Sequence, residues 1–414
     1  MKEDIDGLEP AFHRIVGTAG TDFYGFVVID RFVAGRGTGG IRFTDSVTLD
    51  EVARLAREMT FKFSFLHLPS GGAKAGLVAR PGVSADEREQ LFHRFGESIG
   101  DLIRDRRYVG GLDMGTSAED LAAVMSGAGL PIQPGPKKSG INSNYFTALT
   151  VFVTADALLE ARARRLNGAS VLLEGVGKVG THLLQLLGQA GARVVGISTL
   201  GGAIYNPSGL DIDAVLRARS EHGDDFVKDF PNCKQLPAAE LYTQQADLLI
   251  PGGGADSLRA QNIGQISARW IVPVANICAS TEIEKQLFRS GIEFVPGFVA
   301  NSGGIFCWYL GRLSSEARED IIRDRFKARI GRLIEAADQS GRSISETARD
   351  IAARNLVAMQ DAETGNFWHR LAALGRKLSP GRLAYSISSR LYGGSWSRQS
   401  NPVVRAYYDA RYFR

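Results

Sequence analysis

Cysteine is almost missing from this chain. Cys233, Cys278 and Cys307 are all that 414 residues contain, too few and too scattered for a disulfide framework or a zinc site, and no metal is expected. Long apolar runs are missing too. No window reaches the unbroken length that a membrane-spanning helix needs, so no membrane partner is expected. Charge of one sign is also scarce: the formal net charge is +4, which carries no polyanion-binding signature, and no nucleic-acid partner is expected. The opening MKEDIDGLEP lacks the basic-then-apolar layout of a secretion signal, which makes the cytoplasm the expected location. What is present is a globular composition, 44% hydrophobic and 23% charged, with enough apolar material for a sizeable core. The length suits two domains.

The stretch Ser170–Ser198 organises the rest. A short apolar run (Val171, Leu172, Leu173) leads into Gly175-Val176-Gly177-Lys178-Val179-Gly180, then an amphipathic segment with Leu183, Leu184, Leu186 and Leu187, then Val194-Val195-Gly196-Ile197. That order reads as strand, glycine turn, helix, strand, the context a dinucleotide-binding fingerprint needs. Gly175 allows the tight turn, Gly177 lets backbone approach a pyrophosphate, and Gly180 lets the helix sit close. The helix start then offers free N–H groups to the phosphates. Lys178 is not a nucleotide-triphosphate lysine, because the GK[ST] ending is missing.

Taken in order, Phe23–Phe32 reads as an aromatic, β-branched strand, and Gly35–Phe43 as a loop leading into another. Thr48–Leu66 has helical spacing, with a capping box expected between Thr48 and Glu51. AKAGLVA follows as a buried strand, Ala85–Ile103 as a helix, Tyr108–Leu112 as a brief strand and Glu119–Met125 as a further helix. The linker is Gln133–Asn144, rich in Pro, Gly and Ser. A helix over Tyr145–Arg164 leads into the nucleotide domain, where apolar runs at Ala246–Ile250, Trp270–Val274 and Phe294–Val295 continue a parallel sheet. Ile305–Met359 reads as helical and is expected to cross back to the first domain. Four segments result: 1–140, 141–305, 306–362 and a tail, 363–414. The tail sets Tyr392, Trp396, Tyr407, Tyr408, Tyr412 and Phe413 among arginines that face only Asp409. Packing on its own protein or a neighbouring subunit, and docking to an acidic partner, are both open to it.

Three residues of the first domain carry chemistry. Lys62, in MTFKF, has apolar neighbours, and Lys74, in SGGAKAGL, feeds a buried strand. A lysine held among apolar residues loses hydration and its pKa falls, further so beside a second ammonium, which suits it to act as a base. Asp113 ends a strand at a glycine-flanked turn, where a carboxylate can project into a cleft. Taken singly, each is better explained as a snorkelling lysine or a turn-capping aspartate.

The strings GTGGIRF, LAREMTFK, LPSGGAKAG and GGLDMGTSAEDL, followed by GVGKVG, GAIYNPSGLDI, ADLLIP, VANICAS and VPGFVANSGGI, resemble in order and spacing the glutamate/leucine/phenylalanine/valine dehydrogenase superfamily. The resemblance runs roughly from Phe23 to Met359. It implies an α/β fold: an N-terminal mixed-sheet substrate and oligomerisation domain, a Rossmann-type dinucleotide-binding domain, and C-terminal helices packing back on the first. It implies NAD(P)-dependent oxidative deamination of an amino acid to the 2-oxo acid and ammonia, by a homo-oligomer. Lys74 matches the lysine that activates water, Lys62 the one that binds the substrate α-carboxylate, and Asp113 the aspartate that shuttles protons. Thr38, Gly39, Met59, Asn301 and Trp308 fall at substrate positions. Gly175, Gly177, Lys178, Val179, Gly180, Thr147, Ser198, Thr199, Asn276 and again Asn301 fall at cofactor positions.

The departures carry information. Glutamate enzymes of this family have lysine where this chain has Thr38 and serine where it has Trp308, so a second substrate carboxylate would be unpaired and costly to bury. With Met59, these residues point to an apolar or aromatic substrate. Gly297 replaces the usual aspartate after Pro296 and is expected to loosen the turn that orients Asn301. No acid stands at Ser198–Thr199 to hold ribose hydroxyls, which allows a 2′-phosphate, yet no arginine adjoins that point in sequence. The alternative is a catalytically weak or inactive dinucleotide-binding regulatory or scaffold protein of the same fold. A related imine-forming reductase is a third.

Overall fold

The computed structural model describes residues 9–80, 82–131, 141–311 and 313–365. Residues 133–140 of the expected linker, and the tail beyond residue 365, lie outside the described residues. By internal packing the chain divides into two units. Among the described residues, one takes those up to 131 together with 351–365; the other takes those from 141 to 350.

The first unit is built on five strands: β1 (Phe12–Gly17), β2 (Tyr24–Ile29), β3 (Gly37–Thr44), β4 (Gly71–Val78) and β5 (Tyr108–Leu112). Their order is β1-β2-β4-β3-β5; β2 runs antiparallel to β1 and β4, while β3 is parallel to β4 and β5. Strand alternation sorts the side chains. Ile41, Phe43, Ala73, Ala75 and Leu77 join Phe92, Phe95 and Leu102 in one core, under the helix Ala85–Ser98. Each buried phenylalanine there is worth roughly 1.5–3 kcal/mol of transfer free energy. The other face carries Thr38, Gly40 and Arg42 of β3 and Gly72, Lys74 and Gly76 of β4, and the helix Leu49–Phe65 lies over it. Glycine is required on that face: a Cβ on Gly72 would stand 2.1 Å from the Thr60 nitrogen of the helix. Lys74 is thus the one long side chain on its face of β4, with glycine on either side.

Two local expectations are corrected here. Ala85–Ile103 divides at Ile99 into Ala85–Ser98 and Gly100–Arg104. The capping box at Thr48 is half formed. The Thr48 side chain accepts the Glu51 N–H, but the Glu51 carboxylate pairs with Arg42 instead of turning back to the cap. Water can satisfy an exposed N–H; a buried guanidinium needs a carboxylate.

The second unit holds seven strands: β6 (Ser170–Glu174), β7 (Arg193–Thr199), β8 (Gly202–Tyr205), β9 (Lys234–Leu236), β10 (Leu248–Ile250), β11 (Trp270–Ile271) and β12 (Glu293–Phe294). The order β12-β11-β10-β6-β7-β8-β9 is parallel from β12 to β7. It then turns antiparallel through β8 and β9, where the sequence pattern had pointed only to a parallel continuation. Four and three residues are too short for strand alternation to register. The helix Ser143–Ala161 is buried along most of its length, as its nearly all-apolar sequence requires.

The helices expected over 306–362 do not all return to the first unit. Those from Gly303 to Ser340 belong with the helix Ser143–Ala161, to which Lys327 is tied through Asp156 and Glu160 at 2.7 Å each. The return begins at Ile351, within the last helix, Ile344–Gly365. There Asn355 Nδ2 donates to the Ser64 carbonyl at 3.0 Å and Gln360 Nε2 to that of Phe32 at 3.3 Å.

Candidate active site

Lys62 lies in the last turn of the helix Leu49–Phe65 and is buried, as are Phe61, Phe63 and Phe65. Burial first, and the positive charge of Lys74 second, push its pKa down to about 8. Lys74 is 4% exposed, and its Nζ lies 3.1 Å from Asp113 Oδ2. Arg42 Nε donates to the same oxygen, also at 3.1 Å. Burial alone would raise the Asp113 carboxyl; Lys74 and Arg42 outweigh it and hold the group below the usual carboxylate range.

The turn that presents Asp113 is clamped to β3. The Asp113 N–H donates to Thr116 Oγ1 at 2.8 Å, and that hydroxyl lies 3.0 Å from the Ile41 carbonyl. Gly115 takes φ +79°, with its backbone so close to the Phe43 carbonyl that a Cβ would stand 2.0 Å from it. These contacts account for the DMGT spacing. Arg42, within GTGGIRF, is a residue of this cluster that the sequence reasoning does not single out. A charged residue between Ile41 and Phe43, in a strand with glycines, was the available signal.

Gly39 admits no Cβ, which would lie 1.6 Å from the Ala73 carbonyl, and its own carbonyl accepts from the Tyr108 hydroxyl at 3.0 Å. Thr38 Oγ1 and Ser70 Oγ are 2.7 Å apart, so the Thr38 hydroxyl is engaged by a neutral neighbour. Met59 is buried.

In the second unit, the Gly175 N–H donates to the Ser198 carbonyl at 2.8 Å, tying the glycine turn to the end of β7. Gly175 takes φ +87°. A Cβ on Gly180 would meet the Gly175 carbonyl at 2.1 Å; one on Gly177 would meet nothing within 4 Å. Among the described residues Gly177 has no neighbour that excludes a side chain, which leaves its backbone open to the approach of a ligand. The helix Lys178–Gln189 begins with no side-chain cap, leaving its N–H groups for an anion. Lys178 is exposed and Val179 half-buried.

Ser198 and Thr199 are buried. The Thr199 hydroxyl donates to the Asp224 carbonyl at 2.6 Å. Glu174, at the end of β6, accepts N–H groups of Gly252 and Gly253 at 3.0 and 2.8 Å. A cation that sequence adjacency missed is Arg219, in the helix Ile212–His222. It donates through Nε to the Val176 carbonyl of the glycine turn at 2.9 Å and pairs with Asp224 at 3.1 Å. It lies twenty residues beyond Thr199, so only the fold brings it to the end of β7.

Asn301 donates through Nδ2 to the Val274 carbonyl at 2.8 Å and to Asn276 Oδ1 at 3.1 Å, while its own Oδ1 is buried without a partner among the described residues. An orphaned acceptor of this kind fits a carboxamide donor such as that of a nicotinamide. The expectation for Gly297 is corrected. A Cβ there would stand 2.4 Å from the Asn276 carbonyl, and the Asn301 N–H donates to the Gly297 carbonyl at 3.0 Å. Close packing, not looseness, requires glycine. Thr147 Oγ1 donates to the Ser143 carbonyl at 2.9 Å, and Trp308 is 42% exposed in the helix Gly303–Tyr309. No cluster of metal-ligating side chains, and no helix long and apolar enough to cross a membrane, occurs among the described residues.

Residues 140–364 match the family model described as Glutamate/Leucine/Phenylalanine/Valine dehydrogenase, and residues 17–128 match its dimerisation domain. The glutamate dehydrogenase of Thermotoga maritima is 32% identical over 302 residues, covering 69% of this chain and 71% of that protein. The hetero-hexameric glutamate dehydrogenase of Thermus thermophilus, in its leucine-bound form, superposes with a TM-score of 0.71 at 26% identity, over 84% of this chain and 89% of that one. L-tryptophan dehydrogenase of Nostoc punctiforme shares the fold, with a TM-score of 0.60 at 20% identity over 85% of this chain and 97% of that one.

Proposed function

Because the chain belongs to the glutamate/leucine/phenylalanine/valine dehydrogenase family, we propose that it carries out reversible NAD(P)-dependent oxidative deamination of an L-amino acid with an apolar or aromatic side chain, giving the 2-oxo acid and ammonia. The observation that carries the proposal is the buried ion pair of Lys74 and Asp113 at 3.1 Å, with the ammonium of Lys62 beside it. In this reading Lys62 holds the substrate α-carboxylate. Asp113, kept ionised by its cations, takes a proton from the α-ammonium (an N–H bond breaks and an O–H bond forms). A bound nicotinamide supplies the acceptor for the α-hydrogen as hydride. Lys74, after its ammonium gives a proton to solvent, directs water onto the resulting iminium carbon and takes up the proton that water loses as the C–O bond forms; Asp113 returns its own proton to the amine and then accepts the carbinolamine hydroxyl proton as the C–N bond breaks and ammonia leaves. The glycine turn, the uncapped helix start and Asn301 are the groups of the second unit that would hold the dinucleotide.

Three features support the finer assignments. Thr38 is neutral and already bonded to Ser70, so a side-chain carboxylate would find no cation there. Arg219, anchored at the glycine turn, offers a guanidinium to a 2′-phosphate, which favours NADP over NAD. The exposed apolar side chains Ile15 of β1 and Val109 and Leu112 of β5 lie on the two edge strands of the first sheet and support assembly as a homo-oligomer. The scaffold alternative loses one of its two motives, since Gly297 is demanded by packing; the other, the basic-aromatic tail, lies outside the described residues. The test mixes purified protein with L-amino acids and NAD or NADP, and in reverse with 2-oxo acids and ammonia, while following the absorbance of reduced nicotinamide. Turnover with branched or aromatic substrates is expected. A flat trace for every pair in both directions would establish the scaffold instead.

A further inference from the structure

Arg42 is unusual in its place. It sits on β3, between β4 and the edge strand β5 of the five-stranded sheet, 7% exposed, on the face covered by the helix Leu49–Phe65. A guanidinium is buried at a large desolvation cost unless carboxylates meet it, and two do. Glu51, in the first turn of that helix, takes one end, and Asp113 Oδ2 takes Nε at 3.1 Å. The register explains the second contact: Ile41 of β3 lies opposite Leu112 of β5, so the next residue of each strand comes side by side. Gly40 makes the room, since a Cβ there would fall 2.9 Å from that of Asp113.

We propose that Arg42 is a positioning residue for Asp113, fixing its carboxylate beside Lys74 so that it receives the α-amino proton. The proposal rests on the dehydrogenase reading above. Lys74 reaches the same oxygen at the same 3.1 Å, but Lys74 must turn to water during turnover and then leaves Asp113 without its main counter-ion. A guanidinium stays charged throughout the working range and, forked between Glu51 and Asp113, does not follow. Oδ2 already receives two cations, so the proton taken from the α-ammonium goes to Oδ1 and from there to the leaving amine. The other charged and titratable groups around Asp113 are Lys62 on the covering helix, the buried Tyr108 phenol on β5, and Glu51 across Arg42.

The test compares the wild type with Arg42→Gln, Arg42→Lys and Asp113→Asn, alone and combined, by kcat, KM, cofactor dissociation constant and the pH profile of kcat/KM. Arg42→Gln is expected to lower kcat at least about tenfold and to move the acid limb of the profile upward, with cofactor affinity within about threefold of wild type. Arg42→Lys should recover most of the loss. In the Asp113→Asn background, whose residual rate is followed over hours, Arg42→Gln should change kcat less than about twofold, because both act through one group. Unchanged kcat and acid limb in Arg42→Gln, or a full additional loss on top of Asp113→Asn, would overturn the proposal. Should Arg42→Gln fail to fold, Glu51→Gln, which frees the outer end of Arg42, takes its place: it must lower kcat with Asp113 present and leave kcat unchanged in the Asp113→Asn background. Absence of turnover in the wild type defeats the dehydrogenase reading and this inference together; turnover indifferent to Arg42 defeats this inference alone.

Discussion

Replacing Lys62 with methionine separates what the residue does for binding from what it costs the fold. Its pKa stands at about 8 against an ordinary 10.5, which corresponds to roughly 3 kcal/mol of penalty on the charged form. Burial is the main cause and the nearby Lys74 charge the second. The sign follows from linkage. The folded value lies below the unfolded one, so the penalty is felt in full below about pH 8 and is relieved as pH rises toward 10.5. Lys62→Met keeps most of the apolar stem and removes the ammonium. At pH 7 it is expected to stabilise the protein by about 1–3 kcal/mol, the lower part of the range reflecting relaxation around the charge. For a unit of this size that is about 2–4 °C in Tm for each kcal/mol. The gain should shrink steadily between about pH 8 and 10. Affinity for a simple monocarboxylate inhibitor should fall about thirtyfold or more at pH 7, since a charge-assisted contact is lost. Thermal scans from about pH 7 to 10, with inhibitor titrations alongside, decide the matter. A lower Tm at pH 7, or a gain that ignores pH, refutes the reasoning.

Other outcomes follow from the same contacts. Arg219→Gln should weaken binding of 2′,5′-ADP by about tenfold to a hundredfold while leaving ADP nearly unchanged, as calorimetry would show; equal losses for both would remove the NADP preference. Gly297→Asp places a Cβ 2.4 Å from the Asn276 carbonyl and should destabilise the second unit by about 2 kcal/mol or more and weaken dinucleotide binding through Asn301; a neutral melting curve would contradict that. Lys74→Ala should abolish turnover yet bind cofactor within about threefold of wild type, measured by fluorescence of the reduced dinucleotide.

The sequence disclosed the large periodic elements and the residues with unusual neighbours. Tyr108–Leu112 coincides with β5, and the glycine turn between β6 and β7 was legible because three glycines, two apolar runs and a helix follow one another closely. Lys74 and Asp113 were legible as odd charges at glycine breaks. Arg42 was not, because its meaning depends on the parallel pairing of β3 with β5, which joins residues seventy-one apart. Arg219 was hidden for the same reason, and β8 and β9 were too short to show alternation. Gly297 was misjudged: glycine read as slackness, while the Ala275–Asn276 backbone pressed against it was invisible without coordinates.

The central claim is that the chain removes an α-hydrogen from an amino acid and passes it to a nicotinamide. The most direct measurement supplies α-deuterated L-leucine or L-tryptophan with oxidised cofactor and weighs the reduced cofactor by mass spectrometry. One deuterium per reduced nicotinamide in the wild type, and no more than one equivalent of reduced cofactor per site in Lys74→Ala, is the result expected. Reduced cofactor without deuterium, or no reduction with any α-deuterated amino acid, would contradict it.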